Sequence, residues 1–121
     1  MGTETTGAEA PILILTGNTL EAVDITDYLM RRGLDNVISA TKIELCTAFL
    51  DDRTPPPRLV FFAFSLSDPA ARDWLLTARA KGWRIILVNG ESTEPELQDL
   101  PMLTRPFSTS HLDAVMILAG E

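Results

Sequence analysis

A chain of 121 residues, 45% hydrophobic and 22% charged, has room for one domain around one core and is too apolar to be disordered throughout. Seventeen acidic against ten basic residues give a formal net charge of -7, which repels nucleic-acid phosphates and anionic lipid, so neither nucleic acid nor a membrane surface is expected as a partner. Cys46, the only cysteine, makes neither an internal disulfide nor a zinc site, and reads as a small buried apolar residue.

No stretch approaches the roughly 18 apolar residues of a membrane-spanning helix. The opening residues, Met1-Gly2-Thr3-Glu4-Thr5-Thr6, lack a basic segment followed by an apolar one, so they are not a secretory signal. They fit the loose myristoylation pattern, but residues 1–10 read better as a flexible polar tail before a single domain over residues 11–121. A cytoplasmic location is the default expectation.

Apolar runs and helical stretches then alternate. Pro11-Ile12-Leu13-Ile14-Leu15 is a short continuous apolar run and predicts a buried strand. Asn18 is a good N-cap, with Glu21 three residues later as in a capping box, and the helix runs to about Arg32 before Gly33. Asn36 to Ala40 is a weaker strand, and Thr41 to about Asp51 a helix with Ile43, Leu45, Cys46, Phe49 and Leu50 as its apolar members. The three prolines of Arg53 to Pro57 impose a turn. Leu59 to Phe64 is the most hydrophobic stretch and predicts the central strand. Asp68 caps a helix with Pro69 in its first position, ending near Lys81-Gly82. Arg84 to Val88 is a fourth strand, Ser92 or Thr93 opens a short helix through about Leu100, Met102 to Thr104 is a brief fifth strand, and Ser108 caps a last helix to Ala119. Five β-α units in succession require crossover connections, and hence a parallel sheet with helices on both faces, the flavodoxin-like doubly wound order. Function in that architecture belongs to the loops at the carboxyl ends of the strands.

Three stretches resemble response-regulator receiver domains. Met102-Leu103-Thr104-Arg105-Pro106-Phe107 is similar to the receiver's fifth-strand ending, Ile12 to Gly33 to its first strand, loop and helix, and Leu59 to Leu66 to its third strand and following loop. The resemblance spans roughly residues 11–119 and is one of pattern, with the Arg-Pro-Phe triplet its most specific part. It implies a receiver-like (βα)5 fold, and it makes the departures informative. Where a receiver carries an acidic pair for Mg2+ after strand one, this chain has Thr16 and Gly17. Where the phosphoacceptor aspartate belongs, it has Ala63. Asn89 stands in place of the hydroxyl residue after strand four, Met102 in place of the aromatic switch residue, and Arg105 in place of the lysine. Mg2+ binds where carboxylates are supplied, and phosphoryl transfer depends on that metal and on a nucleophile, which Ala63 does not possess. Ser65 and Asp68 lie just downstream, and read as a loop residue and a helix cap.

The expected function is therefore that of a pseudo-receiver. It is not an enzyme, requires no cofactor or metal, and acts in two-component-like signalling by phosphorylation-independent contact with a partner protein or a second copy. In receivers the face formed by the fourth helix, fifth strand and fifth helix makes such contacts, and it would draw here on residues from about Ser92 to Ala119. Two alternatives stand beside this. One is a receiver with a non-standard phosphoacceptor. The other is a flavin or nucleotide binder, because Thr16-Gly17-Asn18-Thr19 also resembles part of the flavodoxin phosphate loop. That loop is short here and no aromatic pair is evident to sandwich a flavin, Trp74 and Trp83 reading as packing residues. His111, the only histidine, reads as a surface residue, and no Walker loop, GxGxxG or HExxH occurs.

Overall fold

In the computed structural model, which describes residues 10–51, 55–88, 100–104 and 107–120, the apolar runs become strands β1 (Ile12–Leu15), β2 (Val37–Ala40), β3 (Leu59–Phe62), β4 (Ile85–Val88) and β5 (Met102–Leu103). They form one parallel sheet in the order β2-β1-β3-β4-β5. Every residue of β1, β3 and β4 is buried, which is why these strands are apolar without alternation: both faces are covered. Helices α1 (Thr19–Arg31) and α4 (Thr109–Leu118) pack with Ile12, Ile14, Phe61 and Ile86 on one face. On the other, α2 (Ile43–Cys46) and α3 (Pro69–Ala80) pack with Leu13, Leu15, Val60 and Phe62.

Local chemistry sets the helix ends. Asn18, Asp68 and Ser108 each cap a following helix with a side-chain oxygen, as expected. Gly33 and Gly82 follow α1 and α3 at φ 81° and 82°, a conformation in which a Cβ would be strained. The helix expected over Thr41–Asp51 is shorter: α2 stops at Cys46, and Thr47–Leu50 form a 3₁₀ turn. The cause lies across the core. The Cys46 carbonyl, which a continuing α-helix would give to residue 50, accepts from Trp74 Nε1 at 2.8 Å. Trp74 is in turn stacked on Phe62, ring centroids 5.7 Å apart, so a long-range contact overrides local helix preference. The strands also stop short of their apolar runs, with Phe64 beyond β3 and Arg84 before β4. The helix expected from Ser92 or Thr93, the polar tail up to residue 9, and Arg53 and Thr54 of the proline turn lie outside the described residues.

A polar tie joins α1 to α4. Tyr28 Oη donates to Asp113 Oδ1 at 2.5 Å, and Arg32 Nη1 meets the same oxygen at 3.2 Å while its guanidinium lies 5.6 Å from the Tyr28 ring centroid. Burial, then the Asp113 hydrogen bond, pushes the Tyr28 hydroxyl up from 10.0 to about 12. The folded protein holds this proton more tightly than the unfolded chain does. The resulting stability is complete below pH 10 and is lost as pH rises through about 12. The Cys46 thiol, pushed up to about 11 by burial and then by Glu44, adds an earlier loss above its ordinary value of 9.0. Tyr28→Phe should cost about 1 kcal/mol at pH 8 and flatten the fall in stability above pH 11 while leaving the earlier part. Urea unfolding across this range checks it, and an unchanged slope above pH 11 would refute the assignment.

Candidate functional site

The carboxyl ends of β2, β1 and β3 lie side by side. The Thr16 N–H donates to Ala40 O at 3.1 Å, and the Ala63 N–H to Leu15 O at 2.8 Å. Thr16 and Ala63 are thus the first residues past the paired ends of β1 and β3. The chain leaves β1 toward β2 on one side and returns to β3 on the other, so this is the topological switch point of the sheet.

Thr16 is 1% exposed and Glu21, one turn into α1, is 5% exposed. The Thr16 hydroxyl donates to Glu21 Oε1 at 2.9 Å and accepts the Asn18 N–H at 3.1 Å. This corrects the capping box expected at Asn18 and Glu21. Asn18 does cap α1, its Oδ1 accepting from the N–H groups of Leu20 and Glu21 at 3.0 and 3.2 Å. The Asn18 N–H, however, is satisfied by Thr16, and the Glu21 carboxylate turns inward to the hydroxyl. The signal for this was present in the sequence: Glu21, Ile25, Tyr28 and Leu29 stand at i, i+4, i+7 and i+8 and share the buried face of the helix. A carboxylate so buried is uncommon and requires hydrogen-bonding partners.

The arrangement bears on two ligands. The N–H groups of Leu20, Glu21 and Ala22 are taken by Asn18, so these three donors at the helix start are engaged by its own cap rather than offered to a phosphate. The donor set also does not fit Mg2+. Gly17 has no side chain, Ala63 ends in a methyl group, and the Thr16 hydroxyl is committed to Glu21. Among the described residues no group of three His, Cys, Asp or Glu side chains is placed to hold a metal ion.

Beyond Ala63, Ser65 and Ser67 are exposed, with their hydroxyls 2.7 Å apart. Asp68 caps α3, its Oδ1 accepting the Ala70 N–H at 3.1 Å. Asn89 and Arg105, which the resemblance assigns to the same site, lie outside the described residues. Met102 stands apart from Thr16 and Ala63 at the edge of the sheet. With Leu103, Thr104, His111, Ala114, Val115 and Leu118 it lines an open groove of about 430 Å³ between β5 and α4. His111 is exposed but not idle: its Nδ1 accepts the Ser108 N–H at 3.0 Å and Ser108 Oγ accepts its backbone N–H, a capping box that fixes the start of α4.

No family model matches the sequence, and no curated protein matches it. Solved structures do. SdrG from Sphingomonas melonis Fr1 is similar over 94% of this chain and 98% of its own, with a TM-score of 0.71 at 18% identity. A CheY-like receiver domain protein from Methanospirillum hungatei JF-1 covers 92% and 94% of the two chains, with a TM-score of 0.69 at 17% identity. An adenylate cyclase from Rhodopirellula baltica is similar over 92% of this chain and 87% of its own, with a TM-score of 0.70 at 13% identity. The fold is accordingly that of response-regulator receiver domains, five parallel strands in flavodoxin-like order. At these identities the likeness defines the fold, and the fold alone does not define an activity.

Thr16→Val removes the hydroxyl given to a buried carboxylate and should cost about 1–3 kcal/mol. In a double-mutant cycle with Glu21→Leu the two losses should fall short of additivity by at least about 0.5 kcal/mol. Gly17→Ala is the control. Its new Cβ would find Thr41 O at 3.8 Å as its nearest neighbour, an ordinary contact, and should shift stability by no more than about 0.5 kcal/mol. Additive losses would show that the two side chains do not act together.

Proposed function

We propose that this domain is a phosphorylation-independent interaction module of a signalling system, a receiver scaffold that acts through its surface and carries no enzymatic activity. The observation that carries this reading is the switch point itself. The nucleophile's position at the end of β3 is the methyl group of Ala63, and the carboxylate nearest the end of β1, Glu21, is buried against Thr16. A phosphoryl group arriving there would meet no attacking oxygen on residue 63 and, among the described residues, no open pair of carboxylates to hold Mg2+. In this reading Asn89 and Arg105 are remnants of the same site.

The β5–α4 groove supports the choice of contact surface. Met102 and Leu118 are large apolar side chains left exposed beside it, and methionine adapts readily to a partner's shape. A signalling protein or a second copy would seat there. The cytoplasm remains the default location in this reading, and no helix among the described residues is long and apolar enough to cross a membrane.

The test is the intact mass of the protein after incubation with Mg2+ and acetyl phosphate. The mass should be unchanged, and it should remain so in Ala63→Asp, because the metal ligands are still missing. An adduct on the natural chain, above all one mapping to the exposed hydroxyls of Ser65 or Ser67, would replace this reading with that of an unusual phosphoacceptor.

A further inference from the structure

The edge of a sheet offers unpaired backbone groups, and proteins ordinarily blunt it with a short strand, charges, prolines or a bulge. The two edges of this sheet differ in that respect. Strand β5 is two residues long and is bracketed in the sequence by Pro101 and by Arg105-Pro106. Strand β2 carries none of these devices: Val37-Ile38-Ser39-Ala40 has no charge and no proline, and it runs in unbroken register with β1. The N–H groups of Ile12 and Thr16 donate to Asn36 O and Ala40 O, so Asn36, Ile38 and Ala40 turn their backbone groups toward β1. Val37 and Ser39 turn theirs outward, across an edge to which no other described strand is paired. Val37 packs with the α1 cluster, so Ile38 projects on the α2 side of the sheet, where it is 39% exposed. Asp35 and Lys42, both exposed, stand at opposite ends of the strand.

We infer that β2 is a self-pairing edge, through which two copies of this chain join antiparallel into one continuous sheet. The occupant follows from self-complementarity. A twofold axis through the edge sets one residue opposite itself. With Ile38 in that place, the outward-facing residues meet as hydrogen-bonded pairs, Val37 with Ser39 of the second copy and Ser39 with its Val37. The two Ile38 side chains then form a non-hydrogen-bonded pair, the closer kind, with Cα atoms about 4.5 Å apart, and cover each other. The same register sets Asp35 beside Lys42 of the second copy at both ends of the contact, so the charges attract where the strands run out. Registers centred on Val37 or Ser39 set Ile38 against Asn36 or Ala40 and lose the apolar match. An unrelated strand would find the same backbone groups, but the match of isoleucine to isoleucine, with aspartate beside lysine at both ends, belongs to a second copy. The edge lies across the sheet from the β5–α4 groove, so both grooves of the dimer stay open, and the pairing is independent of whether the strand ends take up phosphate.

The test is sedimentation equilibrium of the full chain from micromolar to millimolar concentration, at about 0.15 M salt, where the net charge of -7 is screened beyond about 8 Å. The mass should rise from monomer to dimer, and the amides of Val37 and Ser39 should exchange with deuterium more slowly as the concentration rises. Ile38→Lys should stay monomeric. Lys42→Glu, which leaves the strand itself unchanged, decides the matter should Ile38→Lys fail to fold: it should weaken the dimer at least about threefold, and Asp35→Lys added to it should restore the affinity. A monomer at millimolar concentration, a dimer indifferent to these substitutions, or a dimer whose protected amides lie in β5 and α4 would each overturn the proposal. So would slow exchange at Val37 and Ser39 that does not depend on concentration, which would show the edge taken by the chain itself. A phosphoryl adduct at Ser65 would refute the proposed function and leave this result unchanged.

Discussion

Strands β1 and β3 lie side by side at the centre of the sheet, with Leu13 opposite Val60 and Leu15 opposite Phe62, and every one of their side chains is buried. Much of the rest follows from that constraint. Being parallel, these strands must be joined by crossover connections, and the helices of those crossovers cover both faces, α1 and α4 on one and α2 and α3 on the other. Neither face of β1 or β3 is open to a ligand, so their chemistry can be expressed only at their ends. The Trp74 hydrogen bond to the Cys46 carbonyl belongs to the same logic: packing against Phe62 takes precedence over the regularity of a surface helix.

At the strand ends one hydrogen bond organises the loop. Thr16 joins the end of β1 to the start of α1 by receiving the Asn18 N–H and giving its proton to Glu21. A polar pair this deeply buried ties the loop to the helix, with the Thr16 hydroxyl both donating and accepting. A site that exchanges ligands keeps such groups available; here the Thr16 hydroxyl, the Asn18 N–H and the N–H groups of Leu20 and Glu21 are engaged within the loop and its helix. That economy is the physical basis for reading the domain as an interaction scaffold, with the exposed apolar side chains on β5 and α4 as its contact surface.

The fold was readable because its strands are continuous apolar runs and its caps are chemically distinctive. Asn18, Asp68 and Ser108 announce helix starts, and Gly33 and Gly82 mark their ends, all by local physics that needs no tertiary information. What depended on distant contacts was not readable. Nothing near Thr47 foretold that Trp74, 28 residues from Cys46, would claim a carbonyl and tighten the helix. His111 gave no sign of its capping role, because histidine is an unusual partner in that motif. Glu21 was partly readable: its helical spacing pointed inward, but the nearer capping pattern with Asn18 pointed elsewhere, and the Thr16 hydroxyl decided between them. At the site, the residue types at positions 16, 17 and 63 were plain from the sequence, whereas the closure of the loop around a buried carboxylate required the coordinates.

The account rests on the claim that the switch point is closed to a divalent cation. It is tested most directly by titrating Mg2+ into the ¹⁵N-labelled protein and following the amide signals of Thr16, Gly17 and Ala63. These signals should stay in place through millimolar Mg2+, because the described residues at the switch point offer the ion no open carboxylate. Saturable shifts at those three residues, absent in Glu21→Gln, would show that Glu21 opens to bind metal and would contradict the account.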